Sequence, residues 1–113
     1  MMEFAHTPEE ASYAVIFTSR HAEGARQDGY DATAARMEEL VARQPGFLGM
    51  ESARGDDGVG ITVCYWRSLE DIRAWKAVEE HQLAQQQGRD RWYAAYRVRI
   101  ARIEREYGMG GPI

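Results

Sequence analysis

The stretch "CYWRSLEDIRAWKAVEEHQLAQQ", residues 64–86, places Trp66, Trp75 and His81 close together, with Tyr65 beside the first indole. Arg89, Trp92 and Tyr93 follow shortly after. Indole and phenol rings can wall a pocket for a planar aromatic molecule, and both carry a hydrogen-bonding group. Imidazole exchanges a proton near neutral pH, and a guanidinium can hold an oxyanion. The same residues can equally be packing. Trp75 lies at helical spacing with Ile72 and Val78, which suits a helix face turned to a core. Trp66 fits either a core or a cleft wall. His81 follows two glutamates, as a solvated histidine would, and Trp92 and Tyr93 suit a cleft or a subunit interface.

The totals bound what these residues can belong to. A chain of 113 residues is one ordinary domain with room for a hydrophobic core. Apolar residues make up 44% and charged residues 28%, the balance of a soluble globular protein. The net charge of −4 argues against a nucleic-acid partner, because phosphate binding needs a basic excess. Cys64 is the single cysteine, so no intrachain disulfide forms, and a lone strand cysteine reads first as a small buried hydrophobe. No apolar run approaches the roughly 20 residues that cross a bilayer. The opening "MMEFAHTPEE" does not read as a secretion signal, so a cytoplasmic protein is expected.

The elements that must position the rings follow from periodicity. Residues 1–11 read as a flexible polar arm, and "SYAVIFTS" (12–19) reads as a strand. Residues 20–30 carry two glycines and read as a long loop, of the kind that borders binding sites, with His21 exposed on it. Tyr30, Ala34, Met37, Leu40 and Val41 mark a helix over 30–44 that Pro45-Gly46 ends. "FLGMESAR" (47–54) and "VGITVCYW" (59–66) form a hairpin about "GDDG". Ser68 caps the next helix, with Asp71 as its capping-box partner. A second helical segment runs from Glu79 to Gly88, continuous with the first or kinked from it. Residues 96–107 read as a last strand and 108–113 as a flexible tail, so the domain spans 12–107. The order strand, helix, strand, strand, helix, strand predicts an α+β, ferredoxin-like antiparallel sheet with both helices on one face.

Such a sheet leaves its other face bare, and here neither face suits water. The third strand alternates Val59, Ile61, Val63 and Tyr65 with Gly60, Thr62, Cys64 and Trp66. A homodimer that covers the helix-free face is therefore expected. In the last strand the apolar set moves from Val98 and Ile100 to Ala101 and Ile103. That phase shift predicts a bulge, or a strand leaving its own sheet for a partner's.

Four stretches, "QPGFLGMES", "GITVCYWRSLEDIRAWK", "EHQLAQQQGR" and "WYAAYRVRI", resemble the antibiotic biosynthesis monooxygenase domains of the dimeric α+β barrel superfamily. The resemblance runs from about Tyr13 to Tyr107. It implies a homodimeric barrel with one ligand cleft per subunit, between sheet and helices. It also implies a cofactor-independent oxygenase of a small phenol or hydroquinone, a heme-binding or heme-degrading protein, or a non-catalytic small-molecule binder.

For the first of these, the site needs a base, donors for the phenolate and a dry aromatic cavity. His81 is the expected base and Arg89 the oxyanion partner. Phe17, Tyr65, Trp66, Trp75, Trp92 and Tyr93 are the expected substrate walls. Heme fits less well. The heme-degrading branch uses Asn, Trp and His, and this chain contains no asparagine. Phe17, Thr18 and Ser19 stand where that residue is expected, and the iron ligand would fall near Gln85 rather than at His81. No cofactor is expected from the first reading. The three histidines lack ligand-like spacing for a metal.

Overall fold

The computed structural model describes residues 12–23, 29–86 and 92–110. The elements are β1 (Ser12–His21), α1 (Tyr30–Ala42), β2 (Phe47–Arg54), β3 (Val59–Trp66), α2 (Leu69–Gln86) and β4 (Tyr93–Ile103). The strands form one antiparallel sheet in the order β2-β3-β1-β4. This is the expected ferredoxin-like arrangement. The arm at 1–11 and residues 111–113 of the expected tail at 108–113 lie outside the described residues.

Alternation decides which residues of each strand meet the helices. Tyr13 pairs with Trp66, and Val15 with Cys64, so these residues share one face. Phe47 pairs with Trp66 and Met50 with Cys64, which brings β2 onto the same face. Val41 of α1 and Ile72 and Trp75 of α2 close over them, with Met37, Leu40 and Val78 at the margin. Trp66 is fully buried, with 0% of its surface exposed. Its ring lies edge-on to Phe47 at 5.5 Å and stacked on Trp75 at 6.4 Å.

The α2 start is fixed by side-chain chemistry. The Asp71 amide donates to Ser68 Oγ at 3.1 Å, and the Ser68 hydroxyl donates to Asp71 Oδ2 at 2.8 Å. Gly46, at φ 80°, takes a left-handed turn that a side chain would resist. It also lies so close to α2 that an added Cβ would stand 2.0 Å from the Asp71 carboxylate. The Arg67 amide donates to the Gly46 carbonyl at 2.8 Å, which pins the α1–β2 turn beside that cap.

The structure departs from the sequence reading in three places. First, β1 continues through His21, so residues 20 and 21 are strand rather than loop. The His21 amide donates to the Gly58 carbonyl at 3.1 Å, and the residue is half-buried rather than exposed. Second, β4 both starts and ends earlier than expected, while α2 takes one of the two forms left open for it, a continuous helix. Third, β4 pairs with β1 in unbroken register from Ile103 to Ala95, so no bulge accompanies the apolar phase shift. The reason is exposure. From Ala94 to Arg102 every residue of this edge strand is exposed, so the subunit's own core imposes no alternation on it.

Candidate functional site

A single irregularity gathers a second set of rings at the other end of β1. Between Arg20 and His21 the β1–β4 register shifts, so that His21 pairs with Tyr93 while Arg20 pairs with Ala95. The extra β4 residue turns Tyr93 onto the face that Tyr96 already occupies, opposite Ser19. Phe17, Ser19 and His21 share that face on β1, the side that carries the helices.

Around this point the rings lie close together. Phe17 is edge-on to Tyr93 at 5.3 Å and stacked on Tyr96 at 5.5 Å. Tyr30 opens α1 behind Gly29, which takes a left-handed φ of 90° and offers no side-chain cap. That turn sets the Tyr30 ring 4.2 Å from His21, 5.9 Å from Tyr93 and 6.1 Å from Trp92. Trp92 is buried, and its carbonyl accepts from the Ala22 amide at 2.8 Å, tying the start of β4 to the end of β1. The cluster opens outward through Tyr96, 44% exposed, onto Val98 and Ile100, at 46% and 53%.

A cation completes the cluster. Arg54, at the end of β2, sits opposite Gly60, and Gly60 sits opposite Ser19. Its side chain crosses β3 over Gly60, where an added Cβ would lie 2.6 Å from the guanidinium carbon. Beyond Gly60, Nη2 donates to Ser19 Oγ at 2.9 Å, and Nη1 donates to the Gly58 carbonyl. The guanidinium carbon is 6.0 Å from the centre of the Tyr30 ring.

Electrostatics keep the Tyr93 phenol protonated. Burial pushes its pKa well above the ordinary phenol range, and the hydrogen-bonded Tyr30 adds to this; Arg54 pulls the other way, and Glu79 of α2 adds a smaller upward push. Tyr93 is therefore a hydrogen-bond donor at neutral pH. The Cys64 thiol, on the same side of the sheet, is pushed up to about 12 by burial first, then by Glu79 and Glu38. A thiol held neutral in this way is a poor nucleophile.

The structure divides the residues singled out in the sequence. Phe17, Trp92 and Tyr93 come together in the ring cluster. Trp66 and Trp75 lie in the core instead. Tyr65 points to the helix-free face, where its hydroxyl donates to Glu51 and burial with that bond raises its pKa to about 12. His81 is exposed on α2. It follows Glu79 by two residues, about 200° around the helix, so it points away from the sheet. Arg89 lies outside the described residues. Among the described residues no three His, Cys, Asp or Glu side chains converge on a metal site, and no helix is long and apolar enough to cross a membrane.

Sequence reasoning missed His21, Tyr30, Arg54, Glu79 and Tyr96. One signal was available: Gly60 interrupts a β-branched strand, and an isolated strand glycine marks a close approach by another group.

The chain is similar to several known proteins. Residues 12–87 match the antibiotic biosynthesis monooxygenase family. YqjZ, an uncharacterised protein of Bacillus subtilis (strain 168), is 50% identical over 107 residues, covering 94% of this chain and 92% of YqjZ. The crystal structure of PA3566 from Pseudomonas aeruginosa aligns with a TM-score of 0.66 at 16% identity, over 89% of this chain and all (100%) of that one. That of SnoaB, a cofactor-independent oxygenase from Streptomyces nogalater, aligns with a TM-score of 0.57 at 17% identity, over 92% of this chain and 100% of SnoaB. At such identities the structural likeness speaks for the fold alone. The match over residues 12–87 speaks for descent: the chain belongs to the antibiotic biosynthesis monooxygenase family.

Proposed function

We propose that this protein is a cofactor-independent monooxygenase that oxidises a small phenol- or hydroquinone-like compound at the ring cluster. The observation that carries the reading is the company these rings keep. Phe17, Tyr30, Tyr93 and Tyr96 surround an imidazole and a fixed guanidinium on the helix side of the sheet. Family membership supports the same class of reaction.

The chemistry asks for a base and a dry aromatic wall. The imidazole of His21 takes the phenolic proton, and the neutral Tyr93 hydroxyl donates to the resulting oxyanion. The electron-rich anion then gives one electron to dioxygen. The substrate radical and superoxide combine at a ring carbon bearing hydrogen, forming one C–O bond. Protonation gives a hydroperoxide, and loss of water from it leaves a carbonyl. The substrate has then supplied all four electrons, with one oxygen atom retained and the other released as water. Two things favour His21 over His81 as the base: its contact with Tyr30, and the exposure of His81.

An oxygen electrode tests this with 1,4-dihydroxynaphthalene and no added cofactor. Uptake well above the rate without protein is expected, and uptake no faster than that background contradicts the proposal. The working form is a cytoplasmic homodimer. Ile61, exposed on the helix-free face, supports a second copy as the cover. Sedimentation showing a stable single subunit at micromolar concentration would contradict it.

A further inference from the structure

We infer that Arg54 anchors an anionic group of the ligand, so that the protein takes aromatic compounds carrying an ionised oxygen acid beside the ring. The inference rests on the ring cluster being the ligand site and deepens that reading by naming the ligand class.

The guanidinium is held in place before any ligand arrives. Of its five N–H donors, one goes to Ser19 Oγ and one to the Gly58 carbonyl. Both acceptors are neutral. Among the described residues Arg54 has no ion pair with a carboxylate, whereas Lys76 pairs with Glu80 on the outer side of α2. A half-buried cation whose partners among the described residues are neutral is an incomplete arrangement, because charges withdrawn from water are normally matched by an opposite charge. The planar fork of donors matches a carboxylate or a delocalised oxyanion, which it can bind through two parallel hydrogen bonds.

The backbone is shaped for this placement. Gly60 leaves a path by which the Arg54 side chain crosses β3 and reaches Ser19 on β1, since its missing Cβ is where the guanidinium lies. The surroundings also give a ligand its polarity. Arg54 approaches from the β2 side and stands over Tyr30. Glu79 of α2 acts on Tyr93 with the opposite sign to Arg54, so an anion is favoured toward Arg54 and away from α2. The aromatic body then rests against Phe17 and Tyr93, and the exposed ledge of Tyr96 and Val98 extends the apolar surface.

Calorimetric titration of the full chain with two probes tests the anchor. They are 1-hydroxy-2-naphthoate, which carries a carboxylate, and 1-naphthol, which does not. The wild type should bind the carboxylate probe about tenfold or more tightly than the naphthol, as a charge-assisted bidentate contact would give. Arg54→Gln should abolish that preference while leaving naphthol affinity within about twofold, and Gly60→Ala should do the same by displacing the guanidinium. Arg97→Gln, an exposed cation on β4, should leave the preference intact. Circular dichroism confirms that each variant is folded. Equal affinities in the wild type, a preference that survives in both the Arg54 and Gly60 variants, or no binding of either probe would overturn the anchor. Oxygen uptake is read separately. A carboxylate preference without uptake sinks the oxygenase reading alone, and uptake without the preference sinks the anchor alone.

Discussion

Two aromatic clusters lie on the same side of one sheet, and they differ in what surrounds their rings. At one end Trp66 and Trp75 are buried with Val41 and Ile72, and the half-buried Phe47 packs against them. Even the Trp66 indole nitrogen has no hydrogen-bond partner among the described residues. At the other end Phe17, Tyr30, Tyr93 and Tyr96 lie beside His21 and Arg54 and open outward through Tyr96. Rings alone do not make a site. Polar company and a way out to solvent separate the end that can do chemistry from the end that holds the fold.

The largest effect that sharpens this contrast belongs to the buried end. Trp66→Ala removes a fully buried indole and should cost about 3–5 kcal/mol of stability, read as a lower midpoint in urea unfolding. Tyr30→Phe, at the open end, should cost far less. A comparable loss there would mean that the open cluster is core as well.

Activity should show the opposite pattern. His21→Ala should lower oxygen uptake on the order of a hundredfold, as loss of a general base does, with little change in the unfolding midpoint. His81→Ala should leave uptake near wild type. The reverse result would move the base to α2 and the site with it.

Alkaline titration probes the boundary between the clusters. The Cys64 thiol has an ordinary value of 9.0 and is raised to about 12 in the folded protein. The folded state therefore favours the neutral thiol. Its contribution is fully present below pH 9 and is lost as pH rises from 9 toward 12, where the unfolded chain ionises first. The urea midpoint should fall over this window, and Cys64→Ala should flatten the start of the fall near pH 9, where few tyrosines of the unfolded chain have ionised. The thiol should also react slowly with a disulfide reagent at pH 8 and quickly in urea. Fast reaction in the folded protein would show that this part of the sheet is open.

The smallest expected effect lies on the other face. Tyr65→Phe removes the bond to Glu51 and should change stability by about 1 kcal/mol or less, with no change in oxygen uptake. A marked loss of uptake would place the helix-free face in the reaction.

Legibility in the sequence followed the range of the interactions. The hairpin about "GDDG" and the Ser68 cap are built from residues a few positions apart, and both stood out. The core face of β3 could be reduced to two choices by alternation, since Trp66 and Tyr65 must point opposite ways. Which of the two faced the helices could not be read, because that depends on where α1 and α2 land. The ring cluster was harder still. His21, Tyr30, Arg54 and Tyr93 come from four separate elements, and a register shift at Arg20 and His21 aligns them. A one-residue shift leaves no periodic trace when it falls at a strand end beside a glycine-rich stretch. The β4 phase shift gave the converse error. In an exposed edge strand the apolar pattern answers to something other than the subunit's own core, so it carries no register information for the monomer.

The most direct test is a crystal structure with 1,4-dihydroxynaphthalene soaked in without oxygen. Density against Phe17, Tyr30 and Tyr93, with an oxygen within hydrogen-bonding reach of His21, is the result predicted. Density beside Trp66 and His81, with the Phe17 end empty, would contradict the assignment of the two clusters.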